Sequence, residues 1–518
     1  MKKFTIILCI MLLVCVSVFA GGSSEEVIEQ KTASGSPAKG GTMVFATDQM
    51  LNSMFNPYEA GNAVDWAWLC LETLGYQNPG STEWHLLLAD SFEVDAETAT
   101  ATIKVKQGVT FHNGDTLDAY DVAFSIQAWN DFGRGATIGS PVSVTVVDDY
   151  TVQVKYDTFS LNITDWLMGC FIYSKETFEE HGVDWMLTNM VGTGPYMMTE
   201  FLPDVSITYE RYDNYWNAYD YGPDNVEYLY ISEPTTMLAA FLSGEVDFFK
   251  TTSAEVVEQL KAYGFEPQQM LGGTEFVHYA IPMTTIEDDP LSNRAVRQAI
   301  YMYGIDWDAY AYALLGDMGY HTDSIGAAGC PYYDESLEVS TLDRQKAIDL
   351  IAQAGYPDGF ETTIYTDANN IASATILQSE LGQLNIDADV EVLDSTILQE
   401  YMNGAQKAGG IITFNLGFGT AQMDRFNKFY SYKGAMAGCT TWSQEEKDLY
   451  DKASAALTQE EQNQYVYDYV KQYVQIDSDF WPVANAMTMI VYQNDISVSD
   501  DYFCGTRGMD PLAFTFVN

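Results

Sequence analysis

The chain has 518 residues, more than the about 250–300 residues at which a single hydrophobic core stops growing, so we expect two or three lobes. It carries 24 Lys and Arg against 73 Asp and Glu, a formal net charge of −49. Nucleic acids and anionic membrane surfaces both require clustered basic residues, so this charge argues against either partner. An acidic field keeps a protein soluble and favours the approach of neutral or cationic small molecules.

Residues 1–20 have the organisation of a secretory signal peptide. Two lysines precede an apolar run from Phe4 to Val16, and Ala20 is the last residue of a small-residue cleavage site. The run is too short for a stable membrane span, and no other apolar run of the sequence approaches the roughly 18 residues that a span needs. We therefore expect an exported protein, periplasmic or extracytoplasmic.

Cys15 offers an alternative way of processing the exported chain. Lipid attachment at Cys15 would anchor the protein, although Val14 stands where a lipid-attachment signal has a small residue. Residues 21–40 are polar and small, which predicts a flexible tether between the export signal and the folded part.

Strand and helix patterns alternate through the first half of the folded part. Alternating apolar residues predict strands, and apolar residues spaced three and four apart predict helices. In chain order these are a strand in GGTMVFAT (40–47), a strand in ATIKVKQGVTFHNG (101–114), a helix in TLDAYDVAFSIQAW (116–129), two strands in SVTVVDDYTVQVKY (143–156), a strand in SITYERYDNYW (206–216) and a helix in EPTTMLAAFLSGEVDFF (233–249). Gly244 is expected to close this helix at its C′ position before a further strand.

The second half continues in the same style. Ser292 is expected to cap a helix in LSNRAVRQAIYMYGI (291–305), and a second helix is expected from about Asp343 to Ala354, stopped by Gly355. Three strands follow in FETTIYT (360–366), ADVEVLD (388–394) and GIITFNL (410–416), with a helix in ASATILQSELGQLN (372–385) between the first two. This βαβ rhythm predicts parallel sheets with helices on both faces.

A glycine-rich stretch, VGTGPYMM (191–198), raises the question of a phosphate loop. A P-loop ends in Gly-Lys-Ser/Thr, which is absent, and the dinucleotide fingerprint needs a third glycine where this chain has Met197. We therefore predict a tight turn in which Gly192 and Gly194 supply positive φ angles and Pro195 fixes the backbone, followed by a strand from Tyr196.

Metal sites and catalytic constellations are not evident in the sequence. Its five histidines include no pair at helical ligand spacing, and no Gly-x-Ser-x-Gly elbow occurs. The cysteines after the signal peptide are odd in number and widely spaced, so we expect small buried side chains instead of a disulfide scaffold: Cys70, Cys170, Cys330, Cys439 and Cys504. An exported α/β chain with 14% aromatic residues, no metal, no cofactor and no catalytic residues predicts a binding protein, not an enzyme.

Several stretches together resemble one family, the extracytoplasmic solute-binding proteins of ABC transporters, family 5, whose members bind oligopeptides, dipeptides or nickel. The resemblance covers about residues 41–490 in order, and it rests on the combination of blocks. The blocks are GGTMVFATDQMLNSMFNPY, LETLGYQNPGSTEWHLLLADSFEVDAETATATIKVKQGVTFHNGDTLDAYDVAFSIQAW, VGTGPYMMTEFLPDVSITYERYDNYW, TTMLAAFLSGEVDFF, LSNRAVRQAIYMYGID, QKAIDLIAQAGYPDGF and WSQEEKDLYDKA.

The resemblance implies an α/β, bilobed, type II periplasmic-binding-protein architecture with an extra subdomain and a ligand cleft between two lobes. By analogy, the first lobe comprises 41–60, 190–275 and 488–518, the extra subdomain 61–189, and the second lobe 276–487. Chain crossings near 272–280 and 483–490 would form the hinge. The family further implies a monomer that closes on its ligand and delivers it to an ABC permease in the membrane.

The residues expected to bind a ligand depart from the pattern of the family's peptide binders. Peptide binders of this family hold the ligand's amino terminus with an Asp in a late loop, which here reads LGFGTAQMDRF (416–426). Ala421 or Gln422 stands where that Asp is expected, and a buried ammonium group without a carboxylate is costly. Asp424 could substitute for it after a loop shift.

Aromatic residues near the expected cleft suggest a second ligand class. Aromatic rings present flat apolar faces on which sugar rings stack, although core packing is an equally good explanation for any one of them. The candidate ligand-binding residues are Phe55, Tyr58, Tyr279, Phe418, Gly419, Gln422, Asp424, Tyr430 and Trp442. Three hypotheses stay open: a peptide receptor, an oligosaccharide receptor on the same scaffold, and an exported glycan hydrolase, which would need a carboxylate pair about 5–9.5 Å apart.

Overall fold

The computed structural model of the protein describes residues 37–38, 40–48, 65–77, 83–131, 140–217, 222–270, 276–325, 333–417, 431–498 and 514–517. Within these ranges, no helix combines the length and the apolar composition that crossing a membrane requires. The predicted signal peptide, most of the tether, Cys15, Cys330 and Cys504 lie outside the described residues.

The strands are numbered in chain order. They are β1 (Pro37–Ala38), β2 (Thr42–Thr47), β3 (Gly75–Gln77), β4 (Trp84–Leu86), β5 (Ala89–Asp95), β6 (Thr100–Val105), β7 (Ser143–Asp148), β8 (Thr151–Lys155), β9 (Tyr196–Leu202), β10 (Ser206–Arg211), β11 (Asn225–Tyr230), β12 (Phe248–Thr251), β13 (Gln268–Gln269), β14 (Phe276–Met283), β15 (Gly319–Tyr320), β16 (Phe360–Thr366), β17 (Ile386–Val392), β18 (Gly410–Gly417), β19 (Trp481–Ala486), β20 (Met489–Tyr492), β21 (Ile496–Val498) and β22 (Phe514–Val517).

The α-helices are numbered in the same way. They are α1 (Ala119–Trp129), α2 (Asn162–Met168), α3 (Lys175–Met186), α4 (Pro234–Leu242), α5 (Ala254–Ala262), α6 (Arg294–Ala299), α7 (Trp307–Leu315), α8 (Arg344–Gln353), α9 (Ile371–Gly382), α10 (Ser395–Met402), α11 (Gln444–Ala455) and α12 (Gln459–Val470).

Two large mixed sheets dominate the described structure. The first sheet has the order β13-β20-β12-β2-β11-β10-β9, and the second sheet has the order β15-β19-β14-β18-β16-β17. A four-stranded sheet, β5-β6-β8-β7, is antiparallel throughout. The prediction of parallel sheets was therefore only partly right: β2 pairs in parallel with β11 and β12, and β16 with β17 and β18, whereas the flanking strands are antiparallel. Hairpin connections such as β7–β8 are too short for the crossover that parallel pairing requires.

Buried apolar residues form separate clusters around these sheets. Met43 and Phe45 of the first sheet belong to the same buried cluster as Ile103 and Val152 of the four-stranded sheet. The second sheet has its own cluster, which packs against α7, α9, α11 and α12. Distinct cores for the two large sheets fit a chain too long for one core.

The predicted end of α4 is confirmed, and one predicted cap is wrong. Gly244 follows α4 with a φ of +77°. The cap of α1 is Asp118, which accepts from the backbone N–H groups of Tyr120 and Asp121 and was not singled out from the sequence. Ser292, the expected cap of α6, instead donates its hydroxyl to the carbonyl of Glu287 at 2.9 Å. Asn293 is the cap, since its side chain accepts from Ala295 N–H and an amide oxygen reaches that donor as well as a hydroxyl does.

The VGTGPYMM stretch is a turn that leads into β9 at Tyr196, as predicted, but its glycines serve another purpose. Neither Gly192 nor Gly194 has a positive φ. A Cβ added at Gly192 would lie 1.9 Å from the carbonyl oxygen of Cys70, and one at Gly194 would lie 2.6 Å from that of Leu69. The backbone N–H of Gly194 donates to Cys70 O at 2.9 Å. The glycines are required because two backbone segments touch, not because the chain turns left-handed.

A buried carboxylate holds the same turn to the aromatic segment that follows β10. Glu72 is 4% exposed, and its oxygens accept hydrogen bonds from Thr193 Oγ1 at 2.9 Å, Tyr215 Oη at 2.7 Å and Trp216 Nε1 at 2.8 Å. A buried carboxylate is tolerated when donors surround it in this way. Three segments that are distant in sequence are thereby joined at one side chain.

Asp323 forms a second buried hub, in the segment after β15. It is 1% exposed, and it accepts hydrogen bonds from Tyr301 Oη at 2.8 Å and from the backbone N–H groups of Val339 and Ser340 at 2.6 Å each, with His321 Nε2 at 3.1 Å. Burial raises the pKa of this carboxyl, but His321 and the N–H donors outweigh burial and bring the pKa down to about 2.

Replacing Gly192 by Ala tests the backbone contact. The added Cβ would overlap Cys70 O, so we expect the free energy of unfolding to fall by about 2–3 kcal/mol, measured by urea denaturation. Gly382→Ala is the matched control, because a Cβ at this last residue of α9 meets nothing within 4 Å and Ala favours a helix. Equal stability of the two variants would show that the contact is not constraining.

Asp323→Asn tests the second hub through pH. The folded pKa lies below the ordinary value, so the stabilisation is complete above about pH 5 and is lost as the pH falls toward 2. We expect a loss of about 2 kcal/mol at neutral pH that roughly halves by about pH 3. Asp387→Asn, at an exposed position of β17, is the control and should change the stability at neutral pH by less than about 0.5 kcal/mol. A loss that is constant with pH would contradict the low pKa.

Candidate functional site

The order of the strands in the first sheet locates a crevice at one of its edges. In the first sheet, β9, β10 and β11 lie on one side of β2, and β12 lies on its other side. Helix α4 connects β11 to β12 and so crosses from one side of β2 to the other. In open α/β sheets, ligands bind outside the carboxyl ends of parallel strands where the strand order reverses in this way. This point lies beyond Thr47, at Asp48.

The second sheet has the same arrangement around β16. Helix α9 leads from β16 to β17 on one side, and α10 leads from β17 to β18 on the other side. The strand order therefore reverses at the carboxyl ends of β16 and β18, beyond Thr366 and Gly417.

The two crevices face each other because the chain passes between the sheets at these same edges. β19 runs parallel to β18, since both pair antiparallel to β14, and it ends at Ala486. Only Met487 and Thr488 separate it from β20, whose first residue pairs with Thr251 at the carboxyl end of β12. The second crossing joins β13 to β14 at the same place, where Met270 N–H donates to Thr488 O at 2.9 Å. We call the facing carboxyl edges of the two sheets the cleft.

Uncharged polar side chains line the cleft edge of the second sheet. His278 of β14 lies opposite Asn415 of β18, whose side-chain oxygen accepts from Asn370 Nδ2 at 3.4 Å. Burial lowers the pKa of His278 to about 4, and the nearby Asn370 raises it by less, so the ring is neutral at pH 7. Within the described part of the chain, His278 Nδ1 and Asn370 Oδ1 have no hydrogen-bond partner.

The crossing between β19 and β20 carries two further polar residues of this kind. Asn485 and Thr488 are both fully buried, and neither the side-chain amide of Asn485 nor the hydroxyl of Thr488 is hydrogen-bonded among the described residues. Buried polar groups without partners are rare because they cost free energy. Amide, hydroxyl and imidazole groups at the cleft are therefore candidates for hydrogen bonds to a ligand.

The cleft edge of the first sheet contributes charged groups. Asp48 follows β2 directly, and Lys250 lies on the neighbouring β12, one residue before its end. Burial raises the pKa of Asp48, and a hydrogen bond from its own backbone and the positive charge of Lys250 lower it by less. Both edges therefore carry a carboxylate, because Asp367 directly follows β16 at the edge of the second sheet.

Few of the residues predicted for the site can be placed. Phe55, Tyr58, Phe418, Gly419, Gln422, Asp424 and Tyr430 lie outside the described residues. Tyr279 is fully buried between Phe414 and Phe480, which favours a packing role. Trp442 is half-buried, stacks on Tyr473 with ring centroids 5.0 Å apart and donates Nε1–H to Ala437 O at 2.9 Å. Contact between Trp442 and a ligand stays a prediction.

Sequence reasoning did not single out Asp48, His278, Asn370 or Asn485. A signal for Asp48 and Asn370 was present, because polar residues just beyond the predicted strands 40–47 and 360–366 would share an edge if those strands were parallel. His278 and Asn485 carry no comparable signal, since they lie on antiparallel strands whose pairing is set by tertiary structure.

Ser340, His321 and Asp323 lie close together but do not form a nucleophilic triad. Ser340 Oγ lies 3.5 Å from His321 Nε2, and Asp323 Oδ1 lies 3.1 Å from the same nitrogen, whereas His321 Nδ1 faces Val483 O at 3.1 Å. A triad needs the hydroxyl and the carboxylate on opposite nitrogens.

No group of three or more His, Cys, Asp or Glu side chains in the described ranges could hold a metal ion. Cys70, Cys170 and Cys439 are buried free thiols.

Comparison with solved structures shows the fold. The ABC transporter substrate-binding protein CtaP from Listeria monocytogenes superimposes with a TM-score of 0.79 at 18% identity, covering 92% of this chain and 100% of that one. The ABC transporter-associated periplasmic binding protein DppA from Helicobacter pylori, in complex with the peptide STSA, gives a TM-score of 0.72 at 21% identity, covering 93% and 99%. The fold is therefore that of type II periplasmic binding proteins, as expected.

Sequence comparison gives curated relatives and one family. The glutathione-binding protein GsiB of Pectobacterium atrosepticum is 25% identical over 319 residues, 60% of this chain and 61% of the relative, so the alignment spans about three-fifths of its length. The sequence profile of the bacterial extracellular solute-binding proteins, family 5, matches residues 83–438. Since that match covers more than half of the 518 residues, the chain belongs to the bacterial extracellular solute-binding proteins of family 5.

Proposed function

We propose that this protein is the exported substrate-binding component of an ABC importer, which captures a peptide or a similar small organic solute by hinge closure and delivers it to a membrane permease. The observation that carries the proposal is the cleft, where the carboxyl edges of two separately cored sheets face each other across two short crossings. Two rigid halves joined by short connections close on a ligand when contacts are made only in the closed state.

The chemistry of the cleft supports a peptide-like ligand. A peptide backbone offers N–H donors and carbonyl acceptors at regular intervals, and the side chains of His278, Asn370, Asn485 and Thr488 can supply complementary groups. The comparisons agree, since one relative is named for glutathione, a tripeptide, and one similar structure contains the peptide STSA. The oligosaccharide alternative draws no support from these relatives.

The chain segments that form each sheet support the proposed lobe boundaries. The first sheet draws its strands from 42–47, 196–251, 268–269 and 489–492, which supports a first lobe of 41–60, 190–275 and 488–518. The four-stranded sheet supports an extra subdomain of 61–189, and the second sheet supports a second lobe of 276–487. The hinge is then at 272–280 and 483–490.

The proposal also covers the export of the protein, its permease partners and its lack of catalytic activity. The signal peptide of residues 1–20 would direct the chain out of the cytoplasm, with lipid attachment at Cys15 as the alternative way of processing. The protein would act as a monomer beside permease subunits, without a cofactor and without converting its ligand. Membership of a family of solute-binding proteins supports a non-enzymatic role.

A peptide screen by thermal shift tests the ligand class. We expect di- to pentapeptides to raise the melting temperature and malto- or cello-oligosaccharides to leave it unchanged. A ligand at 100 times its Kd adds about 2.7 kcal/mol to the free energy of unfolding, which is readily measured. Stabilisation by the sugars alone would overturn the peptide assignment.

Small-angle scattering tests the closure. We expect the radius of gyration to decrease when a stabilising peptide is added and to stay constant with a sugar that gives no thermal shift. Mass spectrometry of the same samples should recover the peptide intact. Unchanged dimensions at saturation would argue against hinge closure, and consumption of the peptide would argue for an enzyme.

A further inference from the structure

A buried cluster of charged side chains lies at the end of β19 that is opposite the cleft. It consists of Arg294 and Arg297 of α6, Glu446 of α11, and Asp477 and Asp479 of the segment that leads into β19. We call it the Arg297 cluster. The side chain of Arg294 is 59% exposed, and the other four members are at most 6% exposed. The cluster therefore joins three elements in the interior of the half built on the second sheet.

The guanidinium of Arg297 directs most of its donors to backbone carbonyls. Its Nη1 donates to Leu291 O at 2.8 Å and to Ser292 O at 2.9 Å, and its Nη2 and Nε donate to Asp477 O at 2.7 Å and 3.1 Å. Nη2 also lies 2.6 Å from Asp479 Oδ1, which forms the buried ion pair. With its five N–H groups engaged in this way, the guanidinium neutralises one carboxylate and holds the chain before β19 against the start of α6.

The other two carboxyl groups of the cluster differ in how they are satisfied. Asp477 accepts hydrogen bonds from Arg294 Nη1 at 3.2 Å, Ser443 Oγ at 2.9 Å and Gln472 Nε2 at 2.8 Å. Glu446 Oε2 accepts from Ser443 N–H at 2.7 Å, whereas Glu446 Oε1 has no hydrogen-bond partner within the described ranges. A negative charge on Asp477 is therefore compensated, and one on Glu446 is not. An uncompensated charge in the interior is costly, and the group responds by taking up a proton.

The cluster holds an excess of acid, with three buried carboxyl groups against one buried and one largely exposed guanidinium. The other titratable groups that face it are Cys439, Tyr469 and Tyr473, and burial raises the pKa of each, so they supply no positive charge. Burial, together with the negative charge of Asp477, raises the pKa of the Glu446 carboxyl to about 7, although Ser443 and Arg297 act in the opposite direction.

We propose that Glu446 holds a proton in the folded protein at neutral pH, and that its release to solvent in mildly alkaline solution loosens the contact between α6, α11 and β19. The Arg297 cluster is then a proton-dependent clamp on the strand that continues into the crossing between the two large sheets. A buried network with balanced charges has no need of this proton. The inference goes beyond the proposed function, because it involves neither the cleft nor a ligand.

The direction of the pH dependence follows from linkage. Because the pKa of Glu446 is raised in the folded protein, its stabilising effect is complete below the ordinary pKa of a glutamate and is lost as the pH rises through about 7. Where the folded protein holds one proton more than the unfolded chain, the equilibrium constant of unfolding increases about tenfold per pH unit.

Urea denaturation of the full-length protein between about pH 5 and about pH 8 compares the wild type with Glu446→Gln. Glutamine is neutral throughout and can accept from Ser443 N–H, so the cap of α11 is kept. The unfolding constant of the wild type should rise at least about tenfold relative to that of the variant over this range. Glu445→Gln, at the exposed preceding position of α11, is the matched control and should follow the wild type.

A second variant shifts the charge balance in the opposite direction. Arg294→Gln removes the exposed guanidinium that pairs with Asp477, so the folded protein should keep its proton to higher pH. Its unfolding constant should therefore continue to rise relative to the wild type between about pH 7 and about pH 9. Hydrogen exchange at about pH 8 localises the effect: peptides from α6, α11 and β19 should exchange more slowly in Glu446→Gln than in the wild type, and peptides from the four-stranded sheet equally fast.

Parallel pH curves for the wild type and Glu446→Gln would overturn the proposal. The same holds if Glu445→Gln reproduces the effect of Glu446→Gln, because the cause would then be the charge of the helix terminus and not the buried cluster. Slower exchange spread evenly over both large sheets would also contradict a local clamp. If Glu446→Gln does not fold at about pH 5, Arg294→Gln decides alone, and a curve parallel to the wild type rejects the proposal.

Discussion

The connection between β19 and β20 is the constraint on which the rest of the architecture depends. Met487 and Thr488 alone span the distance between the two large sheets, and the backbone of Met487 donates to Met318 O at 2.8 Å. Three residue steps separate Ala486 from Met489 and reach at most about 11 Å, so the end of β19 and the start of β20 must lie at adjoining edges. Because the strand directions are fixed by pairing, those edges are the carboxyl ends of the parallel strands, and the cleft is where the chain crosses.

Rigidity on both sides of the cleft comes from contacts that leave little room for adjustment. On one side, Gly192 lies against the backbone of Cys70, and Glu72 accepts hydrogen bonds from three side chains in two distant segments. On the other side, Asp323 gathers a phenol, an imidazole and two backbone N–H groups. Packed, hydrogen-bonded halves that move as units are what the proposed hinge closure requires, with the conformational change placed at the short crossings between them.

The cleft differs from these hubs in how its polar groups are satisfied. Glu72 and Asp323 are surrounded by donors of the protein itself, whereas the side chains of Asn485 and Thr488 have no hydrogen-bond partner among the described residues. Other buried polar groups, such as Trp66 Nε1 and Tyr156 Oη, also lack one in the described ranges. Asn485 and Thr488 are therefore candidates for ligand contact because of their position at the crossing between the two sheets.

Short-range sequence patterns determined the helices and strands of this protein. The apolar spacing in α1, the glycine after α4 and the alternation in β16 act between residues near each other in sequence, so they could be read without a structure, as could the family resemblance. Tertiary structure decided the rest: which strands pair in parallel, why Gly192 must be glycine, and which polar residues reach the cleft. The candidate site was largely missed, because His278 and Asn485 come together only through strand register. Register depends on contacts between distant segments, and a single sequence records no trace of them.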